Sequence, residues 1–182
     1  IYGGILKDYV KNDGIKRLAK SGVVLENLFC TNAICVPSRA SILTGQYSHV
    51  NGVYNLPDAL DPDSLNVAKV LKNNGYQTSI VGKWHLKKEP SGFDYYKVLP
   101  GQGLYNDPYF KTKENWEDGS RGGEKEKGFS ADIIGDSSIE WLKKIDNKKP
   151  FFLMTHFKEK HEPLDYPERN KDLNKDVIFP EQ

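Results

Sequence analysis

The sequence has few cysteines, no long apolar run and almost no net charge. Its 182 residues include two cysteines, Cys30 and Cys35, which are too few and too close for a disulfide scaffold, and neither a second cysteine pair nor a nearby histidine completes a zinc site. No apolar run approaches the roughly 20 residues of a membrane span. Twenty-six Lys and Arg oppose 25 Asp and Glu with the signs interspersed, which leaves a net charge of +1. We therefore expect no nucleic acid and no membrane among the partners.

Aromatic residues are plentiful enough for a folded core. Three Trp, ten Tyr and eight Phe argue against disorder, and the length favours one core, so residues 1–182 are interpreted as a single partial domain. Within it, residues 87–128 are rich in Gly, Pro, Asn, Lys and Glu, which predicts long surface loops rather than core. The aromatic residues in segment 93–116 either stack on sugar rings or pack this loop against the body.

Helical and strand-like patterns alternate along the chain. Helices are predicted between Asn12 or Asp13 and Gly22, where a left-handed residue is expected, and over about 38–43 after Pro37 and before Gly45. Further helices are predicted from Ser64 to Gly75, with Val67, Val70 and Leu71 facing inward, and over 129–145. Strands are predicted over 23–29, 76–81 and 151–157. This alternation indicates an α/β fold with a layered, mostly parallel sheet flanked by helices. Ligands of such sheets bind at the carboxyl ends of the strands.

Five side chains that can act as nucleophile, cation or proton carrier lie near the ends of predicted helices and strands. Arg39 lies one helical turn after Cys35, near the positive end of the predicted helix, where it can bind an anion. Lys83 and His85 are two residues apart at a strand end, which predicts that they project to one side, and His161 follows another strand end. Taken singly, such residues are usually buried thiols or solvated charges. Their joint spacing is what favours a site.

Three ordered motifs carry a family resemblance. The eleven residues from Cys35 to Gly45, CVPSRASILTG, resemble the signature of type I sulfatases. The stretch GYQT at 75–78, leading into GKWHL at 82–86, resembles the second signature of that family, and HEP at 161–163 resembles the third. The resemblance implies the α/β fold of the alkaline phosphatase superfamily and the hydrolysis of sulfate esters.

The same resemblance implies a role for each of the five residues. Cys35 would be oxidised to formylglycine by a partner, a formylglycine-generating or anaerobic maturation enzyme, and the hydrated aldehyde would attack sulfur. Arg39 would steady the formylglycine. Lys83 and His161 would contact the sulfate and help to protonate the departing alcohol, while His85 would take the proton whose removal expels sulfate. Lys83, His85 and His161 are thus also the predicted substrate-binding residues.

The resemblance also implies a calcium ion that the sequence does not fully explain. Family members hold Ca²⁺ between formylglycine and several carboxylate or amide oxygens, but this chain contains no Asp-Asp dipeptide. Its one Asp-Asn pair, Asp146-Asn147, is predicted to form a turn between a helix and a strand. Only Cys35, as formylglycine, is assigned as a metal ligand, so the chain is interpreted as an internal or N-terminal-half part of a larger sulfatase.

These observations leave three functional expectations. The first is hydrolysis of a sulfated small molecule or, more specifically, a sulfated glycan. The second is hydrolysis of phosphoesters or phosphonate monoesters, because some relatives share the formylglycine motif. The third, from a different class, is a catalytically silent fragment or binding module, since most metal ligands are absent. The resemblance further implies a periplasmic, secreted or lysosome-like location.

Overall fold

The computed structural model describes Tyr9 and residues 12–179, and these residues form two compact units. One unit is Cys30–Asp165, and the other comprises the described residues up to Phe29 together with those from Tyr166 onward. No described helix is long and apolar enough to cross a membrane. The interpretation of residues 1–182 as one domain remains a prediction.

A three-stranded parallel sheet forms the centre of the larger unit and confirms the predicted α/β class. The helices are α1 (Asp13–Ser21), α2 (Cys35–Thr44), α3 (Ser48–Asn51), α4 (Val67–Asn73) and α5 (Ser130–Lys144); the strands are β1 (Gln77–Lys83), β2 (Tyr95–Leu99), β3 (Tyr109–Phe110), β4 (Glu124–Lys125) and β5 (Phe151–His156), followed by a 3₁₀ turn at Glu168–Asn170. The sheet order is β2-β1-β5, and both pairings are parallel. Strands β3 and β4 form a short antiparallel ribbon.

The helix ends follow the predicted capping chemistry, with shifts of a few residues. Helix α2 begins at Cys35, three residues before the predicted start, and ends at Gly45, whose φ of 67° is the left-handed value expected of a C-cap glycine. Helix α4 begins later than predicted because Asn66, not Ser64, is its cap and accepts a hydrogen bond from Lys69 N at 3.0 Å. Its buried residue is Ala68, whereas Val70, predicted to face inward, is 43% exposed.

Two predictions for the first thirty residues are wrong. Residues 23–29 form no strand, because a strand needs a hydrogen-bonded neighbour and no described strand pairs with them. Gly22 follows α1 with a φ of −123°, an extended rather than a left-handed conformation. By contrast, the predicted cap is confirmed, since Asn12 Oδ1 accepts a hydrogen bond from Ile15 N at 3.3 Å.

The expectation that residues 87–128 are surface loops rather than core is wrong for Tyr95–Leu99. This stretch is β2, and Tyr96, Val98 and Leu99 are each 1% exposed. The composition misleads because Gly and Pro residues flank a strand of only five residues, and pairing with β1 supplies the stabilisation. Aromatic side chains pack this segment against the body, which was one of the two interpretations: Phe93 contacts Trp84 edge-on at 6.2 Å.

The predicted strand over 151–157 is parallel, as expected, but it is not fully buried. Phe151 is 49% exposed and the rest of β5 is half-buried. Packing nevertheless brings β5 against α5, whose predicted range is confirmed to within a residue at either end. Asp146 and Asn147 lie in the turn between them, as predicted, with Lys149 N donating to Asp146 O at 3.1 Å.

Gly82 sets the close approach of β1 and β5, and replacing it with alanine should destabilise the fold. Its φ is 103°, and a Cβ there would lie 2.0 Å from the carbonyl oxygen of His156 on β5. We expect Gly82→Ala to lower the free energy of unfolding by about 3 kcal/mol or more, measured by urea denaturation. The control is Gly135→Ala in α5, where nothing lies within 4 Å. That change should stabilise by up to about 1 kcal/mol, and equal effects of the two substitutions would contradict the argument.

Candidate active site

The carboxyl ends of the three parallel strands meet the first turn of α2. Cys35 is the first residue of α2 and is partly exposed. It lines an open cavity of about 340 Å³ whose other walls include Arg39, His156 and Phe157. Because parallel strands end at one edge of a sheet, residues that are distant in sequence converge here.

Arg39 is held by the ends of two strands. Its Nη1 donates to the backbone oxygen of Lys83 at 2.7 Å and to Nδ1 of His156 at 3.1 Å. Its Nε is buried and has no hydrogen-bond partner among the described residues. Burial lowers the pKa of Arg39 below its usual value, while the nearby Cys35 opposes that shift. The guanidinium therefore retains a donor for an anionic group.

Gln102 connects Lys83 to Cys35. The Lys83 ammonium donates to Gln102 Oε1 at 2.5 Å, and Gln102 Nε2 lies 3.9 Å from Cys35 Sγ. Lys83 is 3% exposed, and burial together with the positive charges of Arg39 and Lys158 lowers its pKa to about 8, against the effect of Cys35. Lys83 and Cys35 thus meet the same amide group, as expected of two residues that serve one site.

His85 reaches the same region by a turn rather than by the strand. β1 ends at Lys83, and His85 has a φ of 60°. His85 is therefore outside the strand, and the strand alternation from which its orientation was predicted does not apply to it. Trp84 anchors the turn, since it packs edge-on against Phe93 at 6.2 Å and donates from Nε1 to Lys88 O at 2.7 Å. His85 is 9% exposed, and Nδ1 has no partner among the described residues.

His161 is positioned through its backbone. The hydroxyl of Tyr105 donates to His161 O at 2.6 Å and accepts from His161 N at 3.0 Å. The ring Nδ1 donates to the carbonyl of Glu162 at 2.6 Å, which leaves Nε2 to hold or transfer a proton. His161 is close enough for its charge to lower the pKa of His85. All five predicted site residues are therefore gathered in one region.

The region is electropositive. Burial, followed by the charges of Lys83 and Arg39, lowers the pKa of His85 to about 4. Among the described residues, no carboxylate acts on His85 or Lys83, and no cluster of three or more His, Cys, Asp or Glu side chains can hold a metal ion. Cationic groups with free donors are suited to a tetrahedral anion, and a neutral imidazole beside them is suited to accept a proton.

Sequence reasoning missed Gln102, His156 and Lys158. His156 is the last residue of β5, so the rule that ligands bind at carboxyl ends of parallel strands was a sufficient signal. Gln102 follows β2 between two glycines with φ values of 55° and 71°, but no signal existed while that segment was interpreted as loop. Lys158 carries no sequence signal beyond its place just after β5.

The imidazoles of His85, which is buried, and of His156, which is half-buried, predict an acid-sensitive fold. Burial is the main cause that lowers the pKa of His85 and of His156 to about 4, whereas an unfolded histidine titrates near 6.5. Between pH 6.5 and 4.5 the unfolded chain takes up protons that the folded chain refuses, so stability falls as the pH falls. We expect a loss of about 2 kcal/mol for both rings together, after solvent screening, from urea denaturation at each pH. His156→Gln should flatten this slope, and a slope reduced equally by the exposed His49→Gln would contradict the assignment.

Comparison with known proteins identifies close relatives across nearly the whole chain. A family model described as Sulfatase matches residues 4–176. N-acetylglucosamine-6-O-sulfatase of Bacteroides thetaiotaomicron is 40% identical over 99% of this chain and 31% of its own length. A ulvan-active sulfatase of Formosa agariphila is 30% identical over 90% of this chain and 34% of its own length.

A solved structure agrees with the sequence relatives. A protein determined in complex with its substrate, D-glucosamine-2-N,6-O-disulfate, superposes with a TM-score of 0.89 at 38% identity. The superposition covers 100% of this chain and 35% of that protein. The chain thus spans about a third of the length of these relatives.

Proposed function

Because this chain belongs to the sulfatase family, we propose that it forms the nucleophile and anion-binding side of a site that hydrolyses sulfate esters. The observation that carries the proposal is the convergence of Cys35, Arg39, Lys83, His85 and His161 at one end of the sheet. The remaining part of the site would come from a longer polypeptide, since the relatives are about three times as long.

The proposed substrate is a sulfated hexosamine in a glycan. Support comes from the relative that is an N-acetylglucosamine-6-O-sulfatase and from the structural neighbour bound to a glucosamine disulfate. Both match nearly all of this chain at 38–40% identity, whereas the ulvan-active sulfatase is 30% identical.

We propose that Cys35 is the precursor of formylglycine. Its partial exposure at the start of α2, in a cavity that Arg39 with its unused Nε also lines, suits an oxygen-rich group. When present, formylglycine supplies the hydroxyl that attacks sulfur. The partner that installs it is proposed to be a formylglycine-generating or anaerobic maturation enzyme.

The surrounding residues then have separable tasks. Arg39 and Lys83 bind sulfate oxygens, and their positive charge stabilises the negative charge that develops in the transition state. Since the pKa of Lys83 is about 8, its ammonium is charged at pH 7 and is acidic enough to give a proton to the leaving alcohol. His85 is neutral at that pH and accepts a proton, and His161 offers Nε2 for the same exchange.

The described residues do not by themselves fit the calcium ion of the family. Calcium takes about 6–8 oxygen ligands. Apart from Cys35, the charged groups that shift the pKa values of Lys83 and His85 are cations, which cannot ligate calcium. The orphaned Nε of Arg39 is a donor and cannot ligate a cation. We propose that residues outside the described ranges supply the oxygens that bind calcium.

The choice of ester separates this proposal from its closest rival. We expect the full-length protein, produced with a maturation enzyme, to hydrolyse N-acetylglucosamine 6-sulfate with a kcat/KM at least about 100-fold above that for N-acetylglucosamine 6-phosphate. The physical reason is charge, because a phosphate monoester dianion requires more neutralisation than Arg39 and Lys83 give. Ion chromatography measures both released anions. A preference for the phosphate ester would favour a phosphoester hydrolase, and no release of either anion would favour a silent binding module.

A further inference from the structure

Lys158 is a buried cation that the proposed mechanism does not use. It lies two residues after β5, is 5% exposed, and places its ammonium 4.3 Å from the ring centroid of Tyr105. Among the described residues, no carboxylate or carbonyl accepts a hydrogen bond from Nζ. An ammonium that, among the described residues, lies over an aromatic face and meets no hydrogen-bond acceptor keeps its three donors for a ligand.

The carboxylates around Lys158 form no ion pair with it among the described residues. Glu159 acts on its charge from the next position; its Oε1 accepts a hydrogen bond from Ser130 Oγ at 3.2 Å, and its Oε2 is buried without a hydrogen-bond partner. Asp165 accepts a hydrogen bond from Asn106 Nδ2 at 2.7 Å. Neither acid forms a direct ion pair with Lys158, so the N–H donors of its ammonium stay available to a ligand.

Lys158 lines an open cavity of about 350 Å³ whose walls match the chemistry of a sugar. Asn106 and Asp165 form a polar end, where amide and carboxylate oxygens accept hydrogen bonds from hydroxyl groups. Leu104 and Pro163 supply an apolar wall of the kind on which a pyranose face packs. Lys158 adds a positive charge to an otherwise carbohydrate-like pocket.

This cavity adjoins the candidate active site. Its lining residue Tyr105 holds the backbone of His161, and Gly103 follows Gln102, which contacts both Lys83 and Cys35. The charge of Lys158 also contributes to the lowered pKa of Lys83, which places the two ammonium groups near each other. A sugar whose sulfate ester meets Lys83 can therefore extend into this cavity.

We propose that the cavity binds the sugar of the substrate and that Lys158 binds a second anionic substituent, sulfate or carboxylate, that is not hydrolysed. This inference rests on the proposed sulfatase function and extends it, because it names the residue that selects among sulfated sugars. Lys158 would then favour substrates with two anionic groups.

The test compares three forms of glucosamine 6-sulfate with the full-length, matured protein: N-sulfated, N-succinylated and N-acetylated. For the unmodified protein we expect a higher kcat/KM for one or both N-anionic sugars than for the N-acetylated sugar. Lys158→Met keeps the aliphatic stem over Tyr105 but removes the charge. It should reduce that preference by about 10- to 100-fold, the range of a charge-assisted hydrogen bond. Comparison of the N-sulfated with the N-succinylated sugar shows whether the site binds a sulfate or a carboxylate.

The matched control is Lys148→Met, which removes an exposed lysine from the turn before β5 and should leave the preference unchanged. The preference is the ratio of two kcat/KM values measured on the same protein. A smaller fraction of folded enzyme lowers both values equally and leaves the ratio unchanged. An equal effect of Lys158→Met on all three sugars would overturn the inference. If the unmodified protein cleaves none of them, the proposed function fails. Calorimetric titration of the Cys35→Ala protein with the same sugars then still tests whether the cavity binds them. N-anionic sugars should bind that protein about tenfold more tightly than the N-acetylated one, and adding Lys158→Met should remove the difference.

Discussion

Cys35→Ala is expected to reduce sulfate release by the matured full-length protein at least about 1,000-fold, with little change in the folded structure. Cys35 is the first residue of α2 and the group toward which Arg39 and Gln102 converge, so the substitution removes the nucleophile and leaves the anion-binding residues in place. Ion chromatography of sulfate released from N-acetylglucosamine 6-sulfate gives the rate.

The second cysteine provides the matched control. Cys30 is exposed, and Cys30→Ala should leave the rate within about twofold of the unmodified protein. Intact mass adds an independent measurement, because protein made without a maturation enzyme should retain cysteine at position 35. Retention of a tenth of the rate by Cys35→Ala, or an equal loss in Cys30→Ala, would refute the role assigned to Cys35.

The 182 residues on their own are expected to bind calcium weakly, with a Kd above about 1 mM, and to release no measurable sulfate. A calcium ion requires about 6–8 oxygen ligands, and no cluster of acids or histidines able to hold a metal exists among residues 12–179 or at Tyr9. Lys83 and Arg39 can supply only part of the charge stabilisation that hydrolysis needs. Calorimetric titration with calcium, beside a sulfate-release assay, measures both properties.

The full-length protein is the comparison for that experiment. It should bind calcium at least about 100-fold more tightly than the 182 residues and should turn over sulfate esters. Tight calcium binding and turnover by the shorter chain would mean that it contains ligands we have not assigned. Weak binding and no turnover by both proteins would support the catalytically silent module instead.

Local sequence patterns were sufficient for much of the fold. The 3.6-residue spacing in α5 and the apolar runs of β1 and β5 predicted these elements to within one or two residues, and Gly45 ended α2 as expected. These signals are local, since helix periodicity and capping depend on residues within a few positions of one another. Where an element depends on a distant partner, as β2 does on β1, composition alone was misleading.

The sequence by itself determined the identities and order of Cys35, Arg39, Lys83, His85 and His161, because each of them lies within a short local motif. Only the tertiary structure decided how these residues meet. Arg39 donates to a carbonyl 44 positions away, and Gln102 reaches a thiol 67 positions away. The lowered pKa values of Lys83 and His85 arise from burial under neighbouring elements, a property of packing that no local pattern encodes. The same holds for Lys158, whose burial against Tyr105 depends on the return of the chain after β5 to the loop that follows β2.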